Sequence, residues 1–278
     1  MALQVGSIGV MSGEVSHGDR GAALDAAAEA ETLGYSTIWL PGSQTNNLPR
    51  ITDVVRATRT LSVGSAIIPV IVVPAEEVAA AFADLEPTDP GRFVVGLGGA
   101  HGPNPISTLS AYLDRLDTEQ PVVPAQARVL AALGPRMLEL ARDRAAGAFP
   151  ILVTPEWVAD ARARLGPDRA LVVALMVVLE PDAARARARA WVPVGFLKNV
   201  PAYAANFRRM GFTDDDIEQS SDRLIDAVTA WGDVASIAAR VRDLHAAGAD
   251  QVALNVISDT DDAPPVSVWR QLADALIR

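Results

Sequence analysis

The chain has 278 residues, 50% of them hydrophobic and 21% charged, a balance that suits one large α/β domain or two small ones. A net charge of −10 argues against a surface built for phosphate backbones, so nucleic acid is not expected as a main partner. Cysteine is absent, which removes disulfides, thiolate nucleophiles and Cys-ligated zinc; no apolar run reaches the ~18 residues of a membrane span and no basic leader opens the chain, so a cytoplasmic protein is expected.

QVGSIGVM (4–11) reads as a first strand, and AALDAAAEAETLGY repeats apolar residues at helical spacing until Gly34 stops it. STIWLP (36–41) is a second strand, LPRITDVVRATRT a helix, LSVGSAIIPV (61–70) a third strand and AEEVAAAFADLE another helix. DPGRFVVGL supplies a turn and a fourth strand. The alternation continues through helix SAYLDRLD, strand RVLAAL, helix PRMLELARDRAA, strand AFPILV, helix PEWVADARARL and strand ALVVALMVVL. Helices at 182–210, 215–230 and 234–247 then precede a last strand, DQVALNVI (250–257), and a closing helix. Eight strands, each followed by helix and nearly continuous in apolar residues, fit a parallel sheet buried on both faces. The expected fold is α/β: a (β/α)8 TIM barrel forming a single domain over 1–278, with a helical insertion at about 182–247 packed on its outside. An open doubly wound sheet is the alternative.

FVVGLGGAHG (93–102) ends a strand in three glycines within four positions. A dinucleotide fingerprint needs G-x-G-x-x-G running straight into a helix, with an acid about 20 residues on. Here His101 takes the sixth position, Pro103 and Pro105 follow, and no such acid ends the next strand, so the fingerprint fails. In a barrel, Gly98 and Gly99 instead end the fourth strand at the ligand-binding face, where missing side chains would leave room for a flat ring. ALGPRM offers a second feature: Gly134 ends a strand, Pro135 suits the first helical position, and the amides of Arg136 and Met137 would point from a helix N-terminus at an anion, unless this is an ordinary turn with a surface arginine.

Histidine supplies the candidate proton carriers. His101 falls at the mouth; His17, in the polar GEVSHGDRG loop, which is expected to be mobile, is on the same side; His245 reads as a structural residue of a helix. Ser43, Gln44 and Asn46 follow the second strand and either line a substrate pocket or are solvated loop residues. Asp214 and Asp216 are explained by a helix start. There is no metal-ligand spacing and no G-x-S-x-G elbow, so neither a metal site nor a serine hydrolase is expected.

The segments GRFVVGLGGAHGP, YLDRLD, RVLAALGPRMLELARDRAAGAFPILVTPE, FRRMGFTDDDI and AWGDVASIAARVRDLHAAGAD together resemble the luciferase-like monooxygenase superfamily, in particular its actinobacterial F420-dependent oxidoreductase branch. The resemblance implies a (β/α) barrel, usually a homodimer, that binds coenzyme F420, or alternatively FMN, at the C-terminal mouth and moves a hydride to or from a small organic substrate. It also implies a non-prolyl cis peptide behind the ring, which matching places at Ala66–Ile67. The chain departs from that pattern at Pro69–Pro74, where Val73 replaces a charged group, at Pro41-Gly42, and in the short GPNPISTLS connection after His101. These departures raise the alternative of a barrel that has lost its cofactor and binds another ligand or a partner protein.

Overall fold

A computed structural model describes residues 3, 5–42, 44–100, 102–258 and 263–278. Its strands are β1 (Ile8–Met11), β2 (Thr37–Leu40), β3 (Ser62–Ser65), β4 (Ile68–Pro69), β5 (Phe93–Gly98), β6 (Arg128–Leu130), β7 (Gly147–Ala148), β8 (Ala170–Leu179), β9 (Thr229–Gly232) and β10 (Gln251–Val256). All pairings are parallel. The order β10-β1-β2-β3-β5-β6-β7-β8 closes because β8 pairs back onto β10, from Val172–Gln251 to Val177–Val256. That closure makes an eight-stranded barrel and removes the open sheet. β4 lies beside β5, and β9 beside β8.

Each strand sends alternate residues to two different cores. On β10, Val252, Leu254 and Val256 join the outer layer against the helices, while Ala253 faces the lumen. The lumen is packed rather than hollow: Trp39 lies against Phe149 with ring centroids 4.5 Å apart, among Met11, Val94, Val129 and Val172. At the base the indole Nε1 of Trp39 donates to Gln251 Oε1 (2.7 Å), and Gln251 Nε2 donates to the Val5 carbonyl. A buried indole N–H needs such a partner.

β8 runs for ten residues, longer than its barrel neighbours, and its C-terminal part serves a second core. Met176 and Val178 pack there with Leu152, Phe207, Phe212 and Leu224. The 183–228 part of the insertion therefore stacks on the strand end at the rim of the mouth instead of lying on the outside of the barrel, whereas its last helix, Val234–Ala246, does pack on the outside through Ile237, Val241 and Leu244. The expected helix over 182–210 is two, Ala183–Leu197 and Pro201–Arg209, with Pro201 opening the second because its missing N–H costs nothing in a first turn. The helix expected over 215–230 is also divided, into Asp214–Gln219 and Asp222–Val228, and stops before Thr229–Gly232. Those four residues are β9, held by pairing with Met176–Leu179, a long-range partner that local periodicity does not reveal. No helix among the described residues is long and apolar enough to cross a membrane.

Candidate functional site

The C-terminal ends of the strands form the mouth. Between β3 and β4 the Ala66–Ile67 peptide is cis, as the resemblance implied, and β4 then resumes pairing with β5 through Ile68–Leu97 and Pro69–Gly98. This wall changes the reading of the glycines. A Cβ on Gly98 would lie 2.8 Å from Ala131 Cβ and 3.0 Å from Ile67 Cγ1, and one on Gly99 would lie 3.1 Å from Pro69 Cα. The space beside them is thus filled by protein, and their task is to let the 66–69 segment approach β5; they do not leave an open floor for a ring. Gly42 has the same cause, since a Cβ there would stand 2.5 Å from the Ile67 carbonyl oxygen. Val73 is buried and its carbonyl accepts the Tyr112 hydroxyl (2.9 Å), so this stretch is wall and carries no charge; burial pushes the Tyr112 pKa up.

Next along the rim, Gly134 is extended (φ −94°, ψ 157°) and caps the helix Pro135–Arg144. Its carbonyl accepts from both Met137 and Leu138 (3.0 Å each), so the Met137 amide is turned inward and is not offered to an anion. Pro135 has no N–H, which leaves the Arg136 amide as the free donor of this turn. The Arg136 side chain is exposed and has no partner among the described residues. From the insertion, Arg209 brings a second guanidinium: its Nη2 lies 3.6 Å from the position a Gly134 Cβ would take. That Nη2 donates to Asn206 Oδ1 (3.2 Å), which also accepts from Trp157 Nε1 (3.0 Å) on the helix Pro155–Leu165. Desolvation lowers the Arg209 pKa, and no carboxylate faces it among the described residues, whereas its neighbour Arg208 is paired with Asp214 at 2.6 Å. Two guanidinium groups without a carboxylate partner among the described residues, and one free amide at a helix start, can hold a phosphate.

The structure does not gather the other predicted residues around this point. His17 ends a helix, Gly13–His17, where a mobile loop was expected; Ser12 caps it by accepting the Val15 N–H (3.1 Å), and the imidazole is exposed. Asn46 is spent on the loop, with Oδ1 accepting the Leu48 N–H (3.0 Å) and Nδ2 donating to Glu77 (2.6 Å), while Gln44 is exposed. Ser43 and His101 lie outside the described residues. His245 bonds the Ala249 carbonyl through Nδ1 (2.9 Å). No group of three metal-binding side chains occurs among the described residues. One residue was passed over in the sequence: Asn255, read as part of an apolar strand, faces the lumen near the end of β10.

Residues 7–118 match the family model for luciferase-like monooxygenases. Over that stretch the chain is similar to luciferase-like monooxygenases. No curated protein sequence matches the chain, but solved structures share its fold across nearly its whole length. An F420-dependent secondary alcohol dehydrogenase in complex with an F420–acetone adduct superposes with a TM-score of 0.72 at 14% identity, covering 99% of this chain and 98% of that one. The coenzyme F420-dependent tetrahydromethanopterin reductase of Methanopyrus kandleri gives 0.70 at 14% identity, covering 99% of each chain. The FMN-bound oxygenating constituent of 3,6-diketocamphane monooxygenase from Pseudomonas putida gives 0.67 at 11%, covering 98% of this chain and 97% of its own. At such identities the likeness is one of fold.

Proposed function

We propose that this luciferase-like protein is an F420-dependent oxidoreductase that transfers a hydride between the deazaflavin coenzyme and a small organic substrate. The observation that supports it most is the anion site formed by the Gly134–Arg136 turn and Arg209, set on the rim of a barrel lined with Trp39 and Phe149. When bound, the coenzyme supplies the hydride chemistry at its ring. The chain's own residues would bind and orient it: Arg136 and Arg209 hold its phosphate, the Ala66–Pro69 wall backs the ring, and the packed lumen below keeps water out. His101 and His17 are the residues proposed to move a proton. F420 is preferred to FMN because the resemblance of DPGRFVVGLG and LAALGPRMLELA is to the F420-dependent branch.

Titration of the purified protein with F420 and with FMN in separate experiments tests this reading. The expected result is saturable F420 binding that weakens by about 1.5–3 kcal/mol in Arg209→Gln or Arg136→Gln, the scale of a charge-assisted hydrogen bond, with little change in melting temperature. Tight FMN binding without F420 binding would assign a flavin monooxygenase. Binding of neither, by a protein that melts cooperatively, would assign a barrel with another ligand or a protein partner.

A further inference from the structure

We infer that Asn206 is a positioning residue of the anion site: its side chain fixes the direction of Arg209, and it is an amide and not a carboxylate so that the guanidinium keeps its charge for an oxyanion ligand. The inference rests on the function proposed above and concerns how that site is kept ready for a charged group. Asn206 is on the buried side of the helix Pro201–Arg209 and is only 1% exposed. Its Oδ1 accepts from Trp157 Nε1 (3.0 Å) and from Arg209 Nη2 (3.2 Å). Both partners can only donate, so they dictate which way the amide points. Nδ2 is then left buried with no acceptor.

A buried donor without an acceptor costs stability, and the choice of asparagine needs a reason. Aspartate has the same shape, would accept from the same two donors and would leave no donor unmatched, so neither packing nor hydrogen bonding explains the amide. Charge does. An aspartate here would form an ion pair with Arg209, as Asp214 does with Arg208 next door (2.6 Å), and a guanidinium so paired has little left for a ligand. The chain has 34 acidic residues against 24 basic ones, yet no carboxylate faces Arg209 among the described residues, and burial alone moves its pKa, downward. An amide is the group that can hold an arginine without neutralising it. The ligand class follows: a group with several charged oxygens, a phosphate or a sulfate, gains from the charge that is spared, whereas a neutral ligand gains nothing from it.

The probe is inorganic sulfate, titrated into the full chain by isothermal calorimetry, with a thermal melt of each protein alongside. Two variants separate charge from packing. Asn206→Asp keeps the shape and both hydrogen bonds; it should weaken sulfate binding about tenfold or more, the scale of a charge-assisted hydrogen bond, and melt no lower than the wild type. Asn206→Ala frees Arg209 and leaves Trp157 Nε1 without a partner, so it should melt lower, yet weaken sulfate only about two- to fivefold because the charge survives. A residue that merely packs gives the opposite order, with the truncation more harmful to binding than the isosteric change. In an Arg209→Gln background, Asn206→Asp should alter sulfate affinity by less than about twofold, because its effect passes through the guanidinium. Unchanged affinity in Asn206→Asp, a larger loss in Asn206→Ala, a melt of Asn206→Asp below that of Asn206→Ala, an undiminished effect without Arg209, or no saturable sulfate binding by the wild type would each overturn the inference. The F420 titration reads the proposed function separately. The expected sulfate results without F420 binding remove the coenzyme and leave Asn206 serving another oxyanion; F420 binding that Arg209→Gln weakens and Asn206→Asp does not removes Asn206 and leaves the coenzyme.

Discussion

At Gly99 two constraints coincide. Its φ of +68° lies in the region an L-residue enters at a cost, and the direction a side chain would take is closed by the Pro69 backbone. Gly99→Val is therefore expected to act on the fold, costing about 2 kcal/mol or more and lowering the melting temperature by roughly 4–8 °C. A thermal melt checks this, and an unchanged melt would restore the view that the glycine is kept to clear space for a ligand. Single residues were legible in the sequence where their cause is local. The Gly134-Pro135 pair announces a helix start by itself, because the extended glycine and the fixed proline φ belong to neighbouring positions. Arg209 was not legible, since nothing in FRRMGFTDDDI distinguishes the arginine taken up by Asp214 from the one laid over Gly134.

Between elements, the tie with the clearest pH signature is made by Glu31, near the end of the helix Arg20–Leu33. One carboxylate oxygen accepts the backbone N–H groups of Arg59 (2.8 Å) and Leu61 (3.0 Å), and both the N–H (2.5 Å) and the hydroxyl (2.9 Å) of Thr60, and so docks that helix on the entry to β3. Burial pushes its pKa up, but the donors outweigh burial and hold it at about 2. A carboxylate with a folded pKa below its unfolded value stabilises the protein fully above the unfolded pKa, near 4.5, and loses that contribution as pH falls toward 2. Glu31→Gln should thus melt below the wild type at pH 7, and the gap should close between about pH 4.5 and 2. A gap independent of pH would mean that the carboxylate charge is not what holds the helix. The same scale shows where element boundaries escaped the sequence: the 182–210 run breaks at Lys198–Val200, and TAWG becomes a strand because β8 extends beneath it.

For the whole molecule, the eight barrel strands were legible because parallel strands covered on both faces must be apolar almost throughout, a pattern that survives without knowledge of partners. Strand order and closure were not legible from any one segment; they followed from the general preference for right-handed, sequential connections. The placement of the insertion's 183–228 part was missed because composition gives its apolar residues no address. That address is β8, whose pairs with β7 and β10 belong to the barrel and whose pairs with β9 belong to the insertion. One strand is thus common property of two cores, and neither core can release it without exposing the other. The chain should consequently lose heat-absorbing structure in a single calorimetric transition with equal calorimetric and van't Hoff enthalpies, whereas a separate early peak would mean that the insertion melts alone. Warming such a protein gives no intermediate regime in which the rim has loosened and the barrel persists, so capacity to bind at the rim and integrity of the barrel should disappear at one temperature.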